Sequence, residues 1–105
     1  MFSRRITVRL KAHAAEQVPS VIENDVLPIL RKQKGFRDEV VMIAPDRSEC
    51  IALSFWDTEA DAEAYNRTAY PEVLKAVTKI AEGTPKVQTY EVSTSTFHTT
   101  LAHTA

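Results

Sequence analysis

The chain has 105 residues, 44% hydrophobic and 26% charged, with a formal net charge of −1, which is the length of one domain and the composition of an ordinary globular protein. Basic and acidic residues nearly balance and cluster no further than the pair Arg4 and Arg5, so the extended basic surface that a nucleic-acid partner requires is missing. The longest apolar runs, such as residues 40–44, are too short to cross a bilayer and no secretion signal is legible, so a cytoplasmic protein without a membrane partner is expected.

Residues 4–11 read RRITVRLK, with Ile6, Val8 and Leu10 alternating with Thr7, Arg9 and Lys11; a period of two predicts a first strand with one apolar face. Val18, Val21, Ile22, Val26, Ile29 and Leu30 then recur at three- and four-residue steps, which predicts a first helix with one buried stripe, closed by Gly35. Pro19 falls in its first turn, where proline is tolerated. Pro28 lies inside the pattern and removes a backbone donor, so a kink or short break is expected near Asn24 and Asp25.

Residues 39–44 and 49–56 are rich in β-branched and bulky apolar side chains, and the PDRS of residues 45–48 between them is turn chemistry, which predicts a hairpin. Cys50 stands alone within it, allows no internal disulfide, and reads as a small core residue. Asp57 or Thr58 then caps a second helical region rich in early acids, interrupted over residues 68–71 because Pro71 disfavours helical geometry at Tyr70. Val73, Leu74, Val77 and Ile80 resume the stripe until Gly83, and a last strand follows over residues 86–92.

The order is βαββαβ, an α+β ferredoxin-like domain over residues 1–92 with two helical regions on one face of an antiparallel sheet. Residues 93–105 form a Ser/Thr-rich tail with Phe97 and Leu101 as its sizeable apolar residues. Strands two and three are apolar on both faces: Val40, Met42 and Ala44 against Val41 and Ile43, and Ile51, Leu53 and Phe55 against Ala52 and Trp56. Helices cover one face only, so the other is expected to meet the sheet of a second copy, giving a homodimer.

The segments VLPILRKQKGF (residues 26–36) and SFWDTEADAEAY (residues 54–65), with the hairpin between them, resemble the antibiotic biosynthesis monooxygenase-like family over residues 4–92. The resemblance implies a dimeric α+β barrel of two face-to-face ferredoxin-like sheets. It also implies a choice of chemistries, since catalytic members include cofactor-free oxygenases of electron-rich aromatic substrates and haem-degrading enzymes. Against the haem branch, its working Trp falls at Tyr65, its haem-ligand His falls at Lys75, and the first strand offers no Asn. Lysine is protonated near neutral pH and makes a poor iron ligand. No cofactor is therefore expected.

Trp56, Tyr65 and Asn66 are the candidate catalytic residues, and Tyr70, Arg9 and Phe55 the candidate substrate-binding residues. Aromatic walls hold a planar ligand and an indole N–H or phenol orients it. The same aromatics also read as ordinary core. Arg9 on the polar stripe of the first strand requires a carboxylate if it faces inward, and Glu91 has matching strand parity. His13, His98 and His103 have no spacing that sets two on one helix face, so no metal site is expected. No phosphate loop, nucleophile elbow or HExxH motif occurs. Two functions follow: a cofactor-independent oxygenase of a small aromatic substrate, or a non-catalytic dimer that binds a small molecule or serves as a scaffold.

Overall fold

The structure is a computed structural model and describes residues 1–97. His98, Leu101 and His103 of the tail lie outside the described residues. Four strands, β1 (Phe2–Arg9), β2 (Phe36–Ile43), β3 (Glu49–Trp56) and β4 (Lys86–Glu91), form one antiparallel sheet in the order β2-β3-β1-β4. Three helical stretches pack on one face, so the ferredoxin-like α+β fold expected from the alternating patterns is the fold observed.

The first of them, α1, changes pitch along its length: a 3-10 turn (Ala15–Gln17), α-helix (Val18–Val21), π-helix (Ile22–Val26) and α-helix again (Leu27–Leu30). The break expected from Pro28 is this π-helical segment. Its wider turn lets the Leu27 N–H reach the Ile22 carbonyl, one residue further back than an α-helical bond, just before the proline that has no N–H to offer. Val18, Val21, Val26 and Leu30 remain buried in register with the sheet.

Gly35 adopts φ +81°. A Cβ at this position would lie 2.1 Å from Asp61 Oδ2 and 2.7 Å from Asp61 Cβ, so glycine is required both for the left-handed turn and for the close approach of the next helix. That helix, α2 (Glu59–Thr68), is capped by Thr58, whose hydroxyl accepts from the Asp61 N–H at 3.1 Å. Ala69 interrupts it and α3 (Tyr70–Val77) begins with Pro71 in its first turn, where a missing N–H costs nothing.

Strand boundaries differ from expectation most in β1 and β2. β1 begins and ends two residues earlier than the periodicity suggested, because Leu10 leaves the ladder for a single bridge to Ala81. β2 begins at Phe36, with an irregularity between Phe36 and Asp38 that the apolar pattern did not reveal.

The register corrects the expected Arg9–Glu91 ion pair. Arg9 stands opposite Glu49, whereas Glu91 stands opposite Phe2, at the other end of β1. Seven residues of strand, on the order of 23 Å, separate the two positions. The faces differ as well: Glu91 shares the helix-facing side of Phe2 and Arg4, whereas Arg9 lies with Thr7 and Lys86 on the open side. Alternation within each strand does not fix how two strands are set against each other.

The core lies between the helices and the inward row of each strand: Ile6 and Val8 of β1, Cys50 and Trp56 of β3, and Val21, Leu30, Tyr65, Val73 and Ile80 from the helical side. Cys50 is a buried core thiol, and burial pushes its pKa up to about 11. The other face carries Val40, Met42, Ile51, Leu53, Phe55 and Tyr90, and no helix of the described chain covers it; Met42 and Tyr90 are 47% and 45% exposed.

Candidate functional site

Apart from the exposed Glu91 at its edge, the helix-facing surface of the sheet is apolar except for one transverse row. Glu39 of β2 stands opposite Ser54 of β3, Ser54 opposite Arg4 of β1, and Arg4 opposite Thr89 of β4. Arg4 shares strand parity with Ile6 and Val8, and this parity carries its side chain into the core at 2% exposure. Ser54 is buried too and accepts a hydrogen bond from the Trp56 indole N–H at 2.9 Å.

Over this row lie the aromatics. Trp56 stacks on Tyr65 at 4.8 Å between centroids, Tyr65 meets Tyr70 edge-on at 6.0 Å, and Phe36 meets Trp56 edge-on at 5.6 Å. The Arg4 guanidinium carbon sits 5.0 Å from the Tyr65 centroid and 4.5 Å from that of Tyr70. Arg4 Nη2 donates to Asn66 Oδ1 at 2.9 Å. Two aromatic faces and one amide oxygen thus hold a buried cation, yet its Nη1 is buried with no hydrogen-bond partner.

Burial lowers the Arg4 pKa from its ordinary value, opposed by Tyr65 and Tyr70; a guanidinium nonetheless keeps its proton in proteins. Burial raises the Tyr65 and Tyr70 phenols, with Arg4 acting the other way on each. Both phenols therefore stay neutral near pH 7 and act as walls and donors, not as bases. Glu39 is the titratable carboxyl of the row. Burial pushes it up to about 7, and its Oε1 has no partner.

Of the candidate residues, the structure brings Trp56, Tyr65, Asn66 and Tyr70 together around Arg4. It does not bring Arg9 or Phe55 to them. Arg9 is exposed at the far end of β1 and borders a cavity of about 360 Å³ with Glu49, Glu82 and Lys86. Phe55 lies on the open sheet face, beside Asp38, Val40 and Phe97 around a smaller cavity of about 220 Å³. Trp56 is fully buried and Tyr65 is 3% exposed, so both fill the helix–sheet space. The cavity of the site, about 270 Å³, adjoins them through Arg4 and Asn66 and is otherwise lined by Phe2, Ala62, Glu63, Val87 and Thr89. Arg4 and Glu39 were not among the candidates. Their signal was parity: each is a charged residue two positions from an apolar inward neighbour, Ile6 and Val41 respectively.

No protein-family model and no curated protein sequence matches the chain. Solved structures do match its fold. A monooxygenase of Streptomyces coelicolor, solved with nanaomycin D, superposes with a TM-score of 0.75 at 14% identity over 90% of this chain and 88% of that one. SnoaB, a cofactor-independent oxygenase from Streptomyces nogalater, gives 0.70 at 12% identity over 90% and 95%. A Bordetella bronchiseptica protein provisionally named an antibiotic biosynthesis monooxygenase gives 0.74 at 9% over 89% and 97%. The fold is thus the ferredoxin-like α+β fold of proteins named antibiotic biosynthesis monooxygenases, as the resemblance in sequence implied. No helix among the described residues is long and apolar enough to cross a membrane.

Proposed function

We propose that the chain is a member of the antibiotic biosynthesis monooxygenase-like family, a small cofactor-independent oxygenase acting on a phenolic aromatic compound as a homodimer. The observation that carries this reading is the Arg4 guanidinium: a buried cation, fixed by Tyr65, Tyr70 and Asn66, with one unpartnered donor beside a cavity of about 270 Å³. A phenol entering that cavity gains little as a neutral molecule. Its phenolate gains a charge-assisted hydrogen bond in a site of low dielectric.

Ionisation makes the ring electron-rich enough to give electrons to dioxygen. With a simple phenol, one oxygen atom enters the ring, the other leaves as water, and the product is a quinone. The substrate supplies all the electrons, so neither metal nor reductant is required. Asn66 orients Arg4 and borders the cavity, Tyr70 and Tyr65 hold the guanidinium from above, and Trp56 backs Tyr65 through stacking. The homodimer is supported by Val40, Met42, Ile51, Leu53, Phe55 and Tyr90 on the sheet face that no helix covers, the face expected to close against a second sheet.

A second reading, a non-catalytic dimer that binds a small molecule or serves as a scaffold, is favoured by the burial of Trp56 and Tyr65, which fill space instead of lining it. Oxygen uptake separates the two. With a panel of naphthols and hydroquinones and no added metal, the oxygenase reading expects protein-dependent uptake that Arg4→Met abolishes. Binding without uptake across the panel would leave the second reading.

A further inference from the structure

A further cavity lies at the Glu39 end of the sheet's polar row, between α1 and the edge strand β2. Its volume is about 260 Å³, and Val18, Ile22, Leu27, Val41 and Ile43 give it apolar walls. Two of these, Ile22 and Leu27, sit within or directly after the π-helical segment. Only two charged side chains line it, Glu39 and Glu23, and both are acids. No basic residue borders the cavity, and the Glu39 Oε1 atom is buried with no donor from the protein.

An apolar chamber with one buried acceptor and a second acid at its rim selects its ligand by charge. A carboxylate guest would meet two like charges, and an alcohol would satisfy one acceptor and leave the field uncompensated. We propose that this cavity binds a small organic cation, an ammonium group carried on an apolar body, with the ammonium donating to the Glu39 carboxylate and the hydrocarbon against Ile22, Leu27 and Val41. The class is set by complementarity: apolar walls bury the body, and a cation is the one donor that also neutralises the carboxylate.

The surroundings agree. Without a ligand, burial holds the Glu39 carboxyl near neutrality, up to about 7. From the packed elements it faces Glu23 on α1, Cys50 and Ser54 on β3 and Tyr65 on α2, while Arg4 stands two strands away. None of its immediate neighbours is a cation. An ammonium guest therefore draws the proton off Glu39: binding at pH 6 releases a proton to buffer, and binding at pH 8 releases little.

The test uses cyclohexylamine, cyclohexanol and cyclohexanecarboxylate, followed by amide chemical shifts of Ile22, Leu27 and Val41 in the full chain. Cyclohexylammonium is expected to bind at least about tenfold tighter than cyclohexanol, a difference near 1.4 kcal/mol, and the carboxylate weakest. Glu39→Gln, isosteric and uncharged, should erase the preference for the amine while leaving the shift pattern with cyclohexanol in place, which shows that the cavity still exists. Glu23→Gln should weaken the amine only about two- to threefold, as an exposed charge does. Calorimetry at pH 6 in two buffers should record proton release in the wild type and none in Glu39→Gln. Equal affinity for amine and alcohol, an amine preference surviving in Glu39→Gln, or shifts confined to residues outside the cavity would each overturn the proposal. None of these readouts depends on oxygenase activity.

Discussion

Arg4 and Glu39 are neighbours of the same residue, Ser54, one on the strand to each side, and each holds a buried polar atom without a partner. Opposite charges on one row of a sheet pair when they stand on adjacent strands. Here Ser54 lies between them and the Trp56 indole N–H occupies its hydroxyl, so the cation turns to aromatic faces and the acid to an apolar cavity. The expected behaviour of the protein follows from that separation.

Arg4 is held by packing as much as by charge. Arg4→Ala removes the stem that fills the space beneath Tyr65 and Tyr70 and is expected to cost about 2–4 kcal/mol. Arg4→Met keeps most of the volume and removes a charge that is only partly satisfied, so its cost should stay below about 1.5 kcal/mol. Urea unfolding of the two variants checks this. Equal losses would mean that the cation itself stabilises the core, leaving less reason to reserve it for a ligand.

Glu39 imposes a pH dependence with a definite sign. The folded protein keeps the Glu39 proton up to about pH 7, against an ordinary glutamate value of 4.5. Between these values the native state binds more protons than the unfolded state, so stability from this group falls as pH rises and levels off above 7. After screening, the loss amounts to about 2 kcal/mol. Glu39→Gln should therefore match the wild type at pH 4.5 and exceed it at pH 8, read from urea midpoints at the two pH values.

At Gly35, a methyl group meets both a left-handed φ and the backbone-proximal atoms of Asp61. Gly35→Ala is expected to lower stability by roughly 2–4 kcal/mol, combining conformational strain with overpacking. Adding Asp61→Gly should recover part of the packing component, and thermal unfolding of the single and double variants measures the coupling.

The open sheet face makes oligomeric state sensitive to charge. Leu53→Arg and Met42→Glu, each set on that face by its register, should convert a micromolar dimer to monomer in sedimentation equilibrium without changing the circular dichroism spectrum. A wild-type monomer at that concentration would remove the homodimer from the account.

How much of this was legible in the sequence depends on which periodicity carried the information. The four strands, the helical break forced by Pro28 and the glycine turn at Gly35 were readable because each reflects a local rule: alternation, a missing donor, a left-handed φ. The Arg9–Glu91 pairing was not, because alternation within each strand is silent about how two strands are set against each other, and the register puts the two residues at opposite ends and on opposite faces. Arg4 was overlooked for a related reason. Within RRITVRLK it reads as one of several surface arginines until the aromatics of α2 and α3 are placed above it, and those contacts lie more than sixty residues away in sequence. Among the candidate residues, Trp56, Tyr65, Asn66 and Tyr70 converged because they end β3 or lie along α2 and the start of α3. Arg9 and Phe55 face the other side of the sheet.

The single tryptophan of the chain makes the most direct test simple, because Trp56 gives one indole N–H signal in an NMR spectrum and stacks on Tyr65, the ring beside Arg4. Titrating labelled protein with 1-naphthol and with 1-methoxynaphthalene compares a phenol with an isostere that has no acidic proton. The account predicts that the naphthol binds at least about tenfold tighter above neutral pH, shifts the Trp56 indole signal, and loses this advantage in Arg4→Met. Equal affinities for the two compounds, or an advantage that survives in Arg4→Met, would contradict the assignment of Arg4 as the phenolate-binding cation.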